Sequence, residues 1–474
     1  NNIFTLNVDS IEELRVIDDI SSSMNSKARI ALRLNPDVDA QTHHHITTGL
    51  EENKFGISGW QVDEVIEVIR GSDNLLLEGL HFHIGSQITA IKRFKNALRE
   101  AARVYSKVMK MGFNPVFLNI GGGVGVDYDG SRTTAQSSAN YSLQEFSNDA
   151  VYVISDVCKS EQVVEPNIVT ESGRVIAAYH SVVVTDIREV QGEEKLSNIK
   201  GFYSDIEIAR AHDYVKELAF LLKNIDSKNY VEYYHDAVEH HEDLYTLFNL
   251  GYLALKERAI AEEYFKEICL KVLTFSEAAS YQPEELAALK KINETKYLAN
   301  FSIFQSIPDA WSIGQLFPIL PLSRHDEKTS HKANIVAITC DSDGCIERFV
   351  DKRGVKSVID LHKPDNKPYY LGFFLVGAYQ ESLSNEHNLF GAINEVEVVQ
   401  NEDGSWYLSK TTEGDLVKEL LTCRNYDMEE MKASYQKQLE KQVVDNFVSE
   451  ERAKELLDSL TKYLDCYPYL KEKE

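Results

Sequence analysis

The sequence predicts an α/β protein: a (β/α) barrel incomplete at its N-terminus, joined to a β-sandwich-like domain, with one helical region inserted and another at the C-terminus. Three observations lead there. From Asn1 to about Thr170 short apolar runs alternate with helix-period segments, as in strand-helix units around a parallel sheet. From Tyr297 to about Ser409, β-branched and aromatic runs are broken by Asp, Gly and Pro clusters, which reads as an antiparallel domain. Helix-rich, tyrosine-rich and charged amphipathic stretches with few breakers fill residues 203–296 and 414–464.

The barrel strands are expected at residues 3–8, 29–34, 77–82, 116–120 and 167–170, with helices such as 62–70 and 94–111 between them. A closed barrel needs eight strands, because fewer leave unpaired edges. Three units are therefore unaccounted for, and a chain that opens on Asn1 and enters a strand at once reads as missing its beginning. The expected division is 1–174 for the barrel, 175–202 for the first β-domain strands with an extended stretch at 175–189, 203–296 for the inserted bundle, 297–411 for the β domain and 412–474 for the helical end.

A chain of 474 residues splits naturally into two or three domains. Its formal charge of -25 sets the surface against nucleic acid and anionic membrane and suits a small cationic substrate. Six cysteines without paired spacing suggest neither a disulfide framework nor a metal site, hence a reducing, cytoplasmic setting. No apolar run reaches membrane-spanning length.

The sharpest local signal is Leu118-Asn119-Ile120-Gly121-Gly122-Gly123-Val124-Gly125, a strand running into glycines. Bare backbone of this kind can close its amides around a phosphate, although an ordinary turn uses glycines equally well. About fifty residues on, the next strand ends in Glu171-Ser172-Gly173-Arg174, which is either a surface ion pair or a carboxylate and a guanidinium for two ends of one cofactor. Barrel enzymes hold phosphates at the loops after their last two strands, and pyridoxal phosphate takes an acid beside its ring nitrogen. A third strand end, His81-Phe82-His83-Ile84-Gly85-Ser86, turns His81 and His83 to one face. There His83 could stack on a ring and Ser86 donate to its phosphate, or both could be structural. In the β domain, Cys340 with Asp341 and Asp343 forms an acidic turn, or a proton donor beside carboxylates that grip a cation. His43-His44-His45 reads as surface, since consecutive side chains diverge.

Together these stretches resemble the fold-III pyridoxal-phosphate decarboxylases, whose barrel is alanine-racemase-like. From about His81 onward, with Asn300 to Asp309, Trp311, Gly377-Ala378-Tyr379-Gln380 and His387 to Gly391, the chain is similar to biosynthetic arginine decarboxylase. The resemblance implies pyridoxal 5'-phosphate as cofactor and conversion of L-arginine to agmatine and carbon dioxide in polyamine biosynthesis. It assigns the cofactor to His83, Ser86, Gly121, Gly122, Gly123, Glu171, Arg174 and Tyr379, catalysis to Cys340, His83 and Glu171, and substrate binding to Asp341, Asp343 and Asp127. It further implies a homo-oligomer in which a neighbouring subunit supplies Cys340 and Asp341. Family members are commonly associated with magnesium, for which the sequence offers no ligand cluster.

Two departures accompany the resemblance. Residues 4–57 look closer to diaminopimelate decarboxylase of lysine biosynthesis, which is the alternative function. The family's Schiff-base lysine ends the first barrel strand, and the strand at 3–8 corresponds to the fourth. Neither Lys27 nor Lys54 takes that place, so this chain alone is expected to be inactive, and a non-catalytic decarboxylase-like regulatory subunit is the third reading.

Overall fold

A computed structural model of the chain describes residues 3–36, 55–192, 210–279, 286, 289, 294–351, 354–365 and 367–471. Its first part is a five-stranded sheet in sequential order: β1 (Leu6–Val8), β2 (Ala28–Leu34), β3 (Leu75–Phe82), β4 (Phe117–Asn119) and β5 (Asn167–Val169). All four pairings are parallel. This is the wall of a (β/α) barrel, built from five parallel strands with a register shift between β2 and β3 at Ile30 and Ala31.

The connecting helices are α1 (Ile11–Ser23), α2 (Val62–Gly71), α3 (Ile91–Lys110) and α4 (Leu143–Glu161). Side-chain caps fix where two of them begin. Ser10 accepts from the Glu13 amide and Ser142 from the Glu145 amide, satisfying donors that the first helical turn leaves free. On α3, Phe94, Ala97, Leu98, Ala101, Ala102 and Tyr105 are buried, the three-and-four spacing of one helix face. They join Leu80, Phe82, Leu118 and Ile120 in one apolar core. The strands' C-terminal ends are thereby held as a rigid rim.

Residues expected to be extended from 175 onward start otherwise. A short helix α5 (Gly173–Ala177) and a 3-10 turn (Ala178–His180) come first, and the extended strand β6 spans Val182–Gln191. The insertion holds α6 (Asp213–Asn224), α7 (Tyr230–Asn249) and α8 (Leu255–Ala278) around their own apolar core. After it come β7 (Thr295–Ala299), two helical turns (Ile303–Ser306 and Pro308–Ser312), β8 (Ile319–Pro321), β9 (His331–Val336), β10 (Cys345–Ile346), β11 (Phe349–Asp351), β12 (Gly354–Lys356), β13 (Ile359–Leu361) and β14 (Tyr370–Phe374).

Seven of these strands form one sheet, ordered β10-β9-β7-β6-β14-β8 with β13 also on β9. An all-antiparallel domain was expected, but β7 and β9 pair in parallel. The chain between them passes through the helical turns and then β8, which pairs with β14 at the far end of the same sheet, before it returns in the same direction. A hairpin of β15 (Glu395–Gln400) and β16 (Trp406–Thr412) follows, then α9 (Val417–Cys423), α10 (Met428–Val444) and α11 (Glu450–Leu464). Among the described residues no helix is long and apolar enough to cross a membrane.

Candidate active site

Three strand ends converge. After β4 the backbone passes through Gly121 at φ +66° and Gly123 at φ +89°, conformations that cost little without a Cβ. The packing is close as well. A Cβ on Gly121 would overlap the Phe82 carbonyl oxygen, and one on Gly123 that of Gly85. At Gly122 a Cβ would lie 3.5 Å from the Glu171 Cβ, 3.6 Å from the Ser172 nitrogen and 3.8 Å from His83 Cε1. The loops after β3, β4 and β5 thus share one rim, and the Glu171 amide ties two of them by donating to the Gly121 carbonyl at 2.8 Å.

Two glycine amides have partners within the site. Gly121 N donates to Asn119 Oδ1 at 2.9 Å and Gly122 N to His83 Nδ1 at 3.2 Å. The second bond makes His83 Nδ1 an acceptor, so its proton sits on Nε2 when the ring is neutral. Asn119 Nδ2 donates in turn to Glu171 Oε1 at 2.8 Å, fixing the carboxylate at the rim.

Arg174 is 4% exposed. Its Nε and Nη2 donate to Ser86 Oγ at 3.3 and 3.1 Å, and Nη1 to the Tyr128 hydroxyl at 3.0 Å. The Tyr379 ring covers the guanidinium at 4.7 Å. Among the described residues no carboxylate pairs with it. A buried cation held only by hydroxyls and a ring face costs several kcal/mol unless an anion completes it, and its unused donors match the oxygens of a phosphate.

The cluster fits pyridoxal phosphate: a glycine cradle that a Cβ would fill, a buried arginine lacking an anion, a neutral imidazole and a carboxylate on one rim. Among the described residues no group of three or more His, Cys, Asp or Glu is arranged to hold a metal ion. His43, His44, His45 and Lys54 lie outside the described residues.

The remaining expected residues sit elsewhere. Asp127 accepts from Ser138 Oγ at 2.7 Å and so holds its own loop together, while its neighbour Tyr128 reaches Arg174. Cys340, Asp341 and Asp343 are exposed on the turn after β9 and bond to Asn388, His387 and Trp311, not to the Arg174 cluster. Asn119, Tyr128, His387 and Asn388 carry geometry to which the sequence reading gave no role. The one signal for Asn119 was its place at a strand end, opposite His81 in the register.

Burial, with the Arg33 cation second, pushes His81 down to about 3 and His83 down to about 4. Both rings are therefore neutral at pH 7. The unfolded chain binds these protons near pH 6.5, so their stabilisation is full above that pH and is lost as pH falls toward the folded values. Replacing His81 by Asn should remove about 2 kcal/mol of the stability loss between pH 7.5 and 5. Denaturant midpoints of both proteins at the two pH values check this; parallel losses would contradict it.

Residues 1–178 match the family model described as the pyridoxal-dependent decarboxylase pyridoxal binding domain, and residues 209–290 match the arginine decarboxylase helical bundle domain. The biosynthetic arginine decarboxylase of Geobacter sp. strain M21 is 39% identical over 470 residues, covering 99% of this chain and 74% of the relative. The chain belongs to the biosynthetic arginine decarboxylase family. A second arginine decarboxylase of that family, from Deinococcus radiodurans, is 39% identical over 425 residues; the match takes in 89% of this chain and 64% of that relative's length. Among solved structures, the biosynthetic arginine decarboxylase SpeA from Campylobacter jejuni superposes with TM-score 0.78 and 32% identity, over 99% of this chain and 74% of that one. Diaminopimelate decarboxylase from Helicobacter pylori, at TM-score 0.56 and 19% identity over 90% of this chain and 74% of that one, shares the fold.

Proposed function

We propose that this protein serves the pyridoxal-phosphate-dependent decarboxylation of L-arginine to agmatine and carbon dioxide, in polyamine biosynthesis. The observation that carries the reading is Arg174, a buried cation with no carboxylate partner among the described residues, on the rim that also holds Glu171 and His83. The family membership and the helical-bundle match support arginine as substrate.

When bound, pyridoxal phosphate supplies an electron sink for the breaking carbon–carboxylate bond. The chain's own residues do the rest. Arg174, Ser86 and Tyr379 receive the phosphate, with Gly121, Gly122 and Gly123 shaping the cradle. His83 offers a neutral ring face to the pyridine. Glu171, oriented by Asn119, keeps a proton on the ring nitrogen. Cys340 returns a proton to the carbon that loses its carboxylate, and Asp341 and Asp343 attract the guanidinium.

Because Cys340, Asp341 and Asp343 bond away from the Arg174 cluster, the reading includes a homo-oligomer in which each of these turns completes a neighbour's site. Six free cysteines suit a reducing cytoplasm.

The test compares carbon dioxide release from carboxyl-labelled arginine and diaminopimelate by the protein loaded with pyridoxal phosphate. Release from arginine is expected, and Glu171→Ala should lower it at least about 100-fold. Preference for diaminopimelate, or undiminished turnover in the variant, would overturn the assignment.

A further inference from the structure

One side of the Arg174 cluster comes from the segment Gly377-Ala378-Tyr379-Gln380 after β14, and this segment is fixed at both ends. Gly377 lies so close to α5 that a Cβ on it would overlap the Ala177 carbonyl oxygen, and its amide donates to the Ala178 carbonyl at 3.1 Å. At the other end Gln380 is 3% exposed. Its Oε1 accepts from the Asp309 amide at 3.1 Å, and its Nε2 donates to Asp309 Oδ2 and to the Ala378 carbonyl, each at 2.9 Å. Both donors and the acceptor of the side-chain amide are thus in use. Asp309 is itself buried, on the helical turn Pro308–Ser312.

Between these anchors stands Tyr379, at φ +69°. A bulky side chain in the left-handed region is an outlier that only its surroundings sustain, and such strain gathers at functional sites. Packing does not hold the ring, which is 44% exposed. It nevertheless covers the Arg174 guanidinium at 4.7 Å, and its hydroxyl lies 3.9 Å from where a Cβ on Gly173 would stand. The direction of the ring is therefore set by its backbone. The bond from Gln380 back to the Ala378 carbonyl spans that backbone, and the two bonds to Asp309, 71 positions away, tie it to a buried turn.

We propose that Gln380 and Asp309 are positioning residues, which hold Tyr379 in its left-handed conformation and so keep the ring over Arg174 and the hydroxyl toward the rim that receives the phosphate. The inference rests on the reading that this rim is the phosphate site. Neither residue touches the phosphate, so their effect on binding passes through Tyr379.

The experiment measures calorimetric binding of pyridoxamine 5'-phosphate and of pyridoxamine to the whole chain and to Gln380→Met, in which a side chain of similar length fills the same space but cannot form the clamp. The variant should bind the phosphorylated compound about tenfold more weakly, through loss of the ring's contact with the cation and of the hydroxyl's aim, and pyridoxamine as the parent does. In a Tyr379→Gly background, where glycine suits the backbone and no ring remains to be aimed, Gln380→Met should change either affinity less than about twofold. Amide exchange of the ligand-free protein separates local release from unfolding. The Leu383 amide, which donates to the Tyr379 carbonyl at 3.0 Å, should exchange at least about tenfold faster in Gln380→Met, with α3 unchanged. Parental affinity for the phosphorylated compound in Gln380→Met, an equal loss in the Tyr379→Gly background, or faster exchange in α3 as well would overturn the inference and leave the phosphate site standing. A parent that does not prefer the phosphorylated compound would overturn both.

Discussion

Replacing Arg174 by Met is expected to weaken binding of pyridoxamine 5'-phosphate about 100-fold while leaving the ligand-free protein at least as stable as its parent. The two effects share one cause. Hydrogen bonds to a charged group contribute about 1.5–3 kcal/mol, and the guanidinium is the buried cation of the cradle. Losing it should cost the phosphate about 3 kcal/mol of affinity. Without an anion the same cation is a burden, since removing a buried uncompensated charge for an apolar chain of similar shape is often neutral or favourable. The loss of donors to Ser86 and the Tyr128 hydroxyl opposes this, at about 1 kcal/mol each. Calorimetric titration and a denaturant midpoint on the same variant check both halves. A purely structural ion-pair arginine would show the reverse, with lower stability and unchanged affinity.

Gly123→Ala should destabilise the chain by about 3 kcal/mol, where Gly130→Ala costs about 1. Both glycines have positive φ, at +89° and +70°, so a methyl group strains the backbone at each. They differ in surroundings. Nothing lies near a Cβ on Gly130, whereas one on Gly123 would meet the Gly85 carbonyl oxygen and the Ile88 side chain. Because Ile88 N donates to the Gly123 carbonyl at 2.9 Å, pushing these segments apart also opens the cradle, and affinity for the phosphate should fall with stability. Equal costs at the two positions would remove the claim that the rim is closed by contact rather than by backbone preference alone.

Much of this was legible in the sequence, for a physical reason. Parallel strands buried on both faces are continuous apolar runs, and Leu118 to Ile120 ends in glycines where the core ends. Glu171 and Arg174 follow directly on the short run of β5, which stands at the end of the sheet and is largely exposed. Local propensity misled where tertiary contacts outweigh it. Val175 and Ile176 favour strands, yet they lie in α5. That turn begins where Ser172 takes φ +24°, and it packs so closely on Gly377 that a Cβ there would overlap the Ala177 carbonyl oxygen. The parallel pairing of β7 with β9 depends on the path between them, which no short window of sequence contains.

Long-range polar contacts were legible least. Tyr128 reaches Arg174 across 46 positions, and Asn388 reaches Cys340 across 48. Neither has a period, and the left-handed backbone at Leu389, at φ +59°, is one that leucine's own preferences argue against. The resemblance gives Asp127 to the substrate, but the chain turns its carboxylate toward Ser138 and sends the next side chain to Arg174.

The central claim is that the loops after β3, β4 and β5 hold a phosphate through Arg174. The most direct measurement is calorimetric binding of pyridoxamine 5'-phosphate and of pyridoxamine, neither of which reacts with lysines, to the unsubstituted chain. The phosphorylated compound should bind at least about 100-fold more tightly; equal affinity for the two would contradict the account.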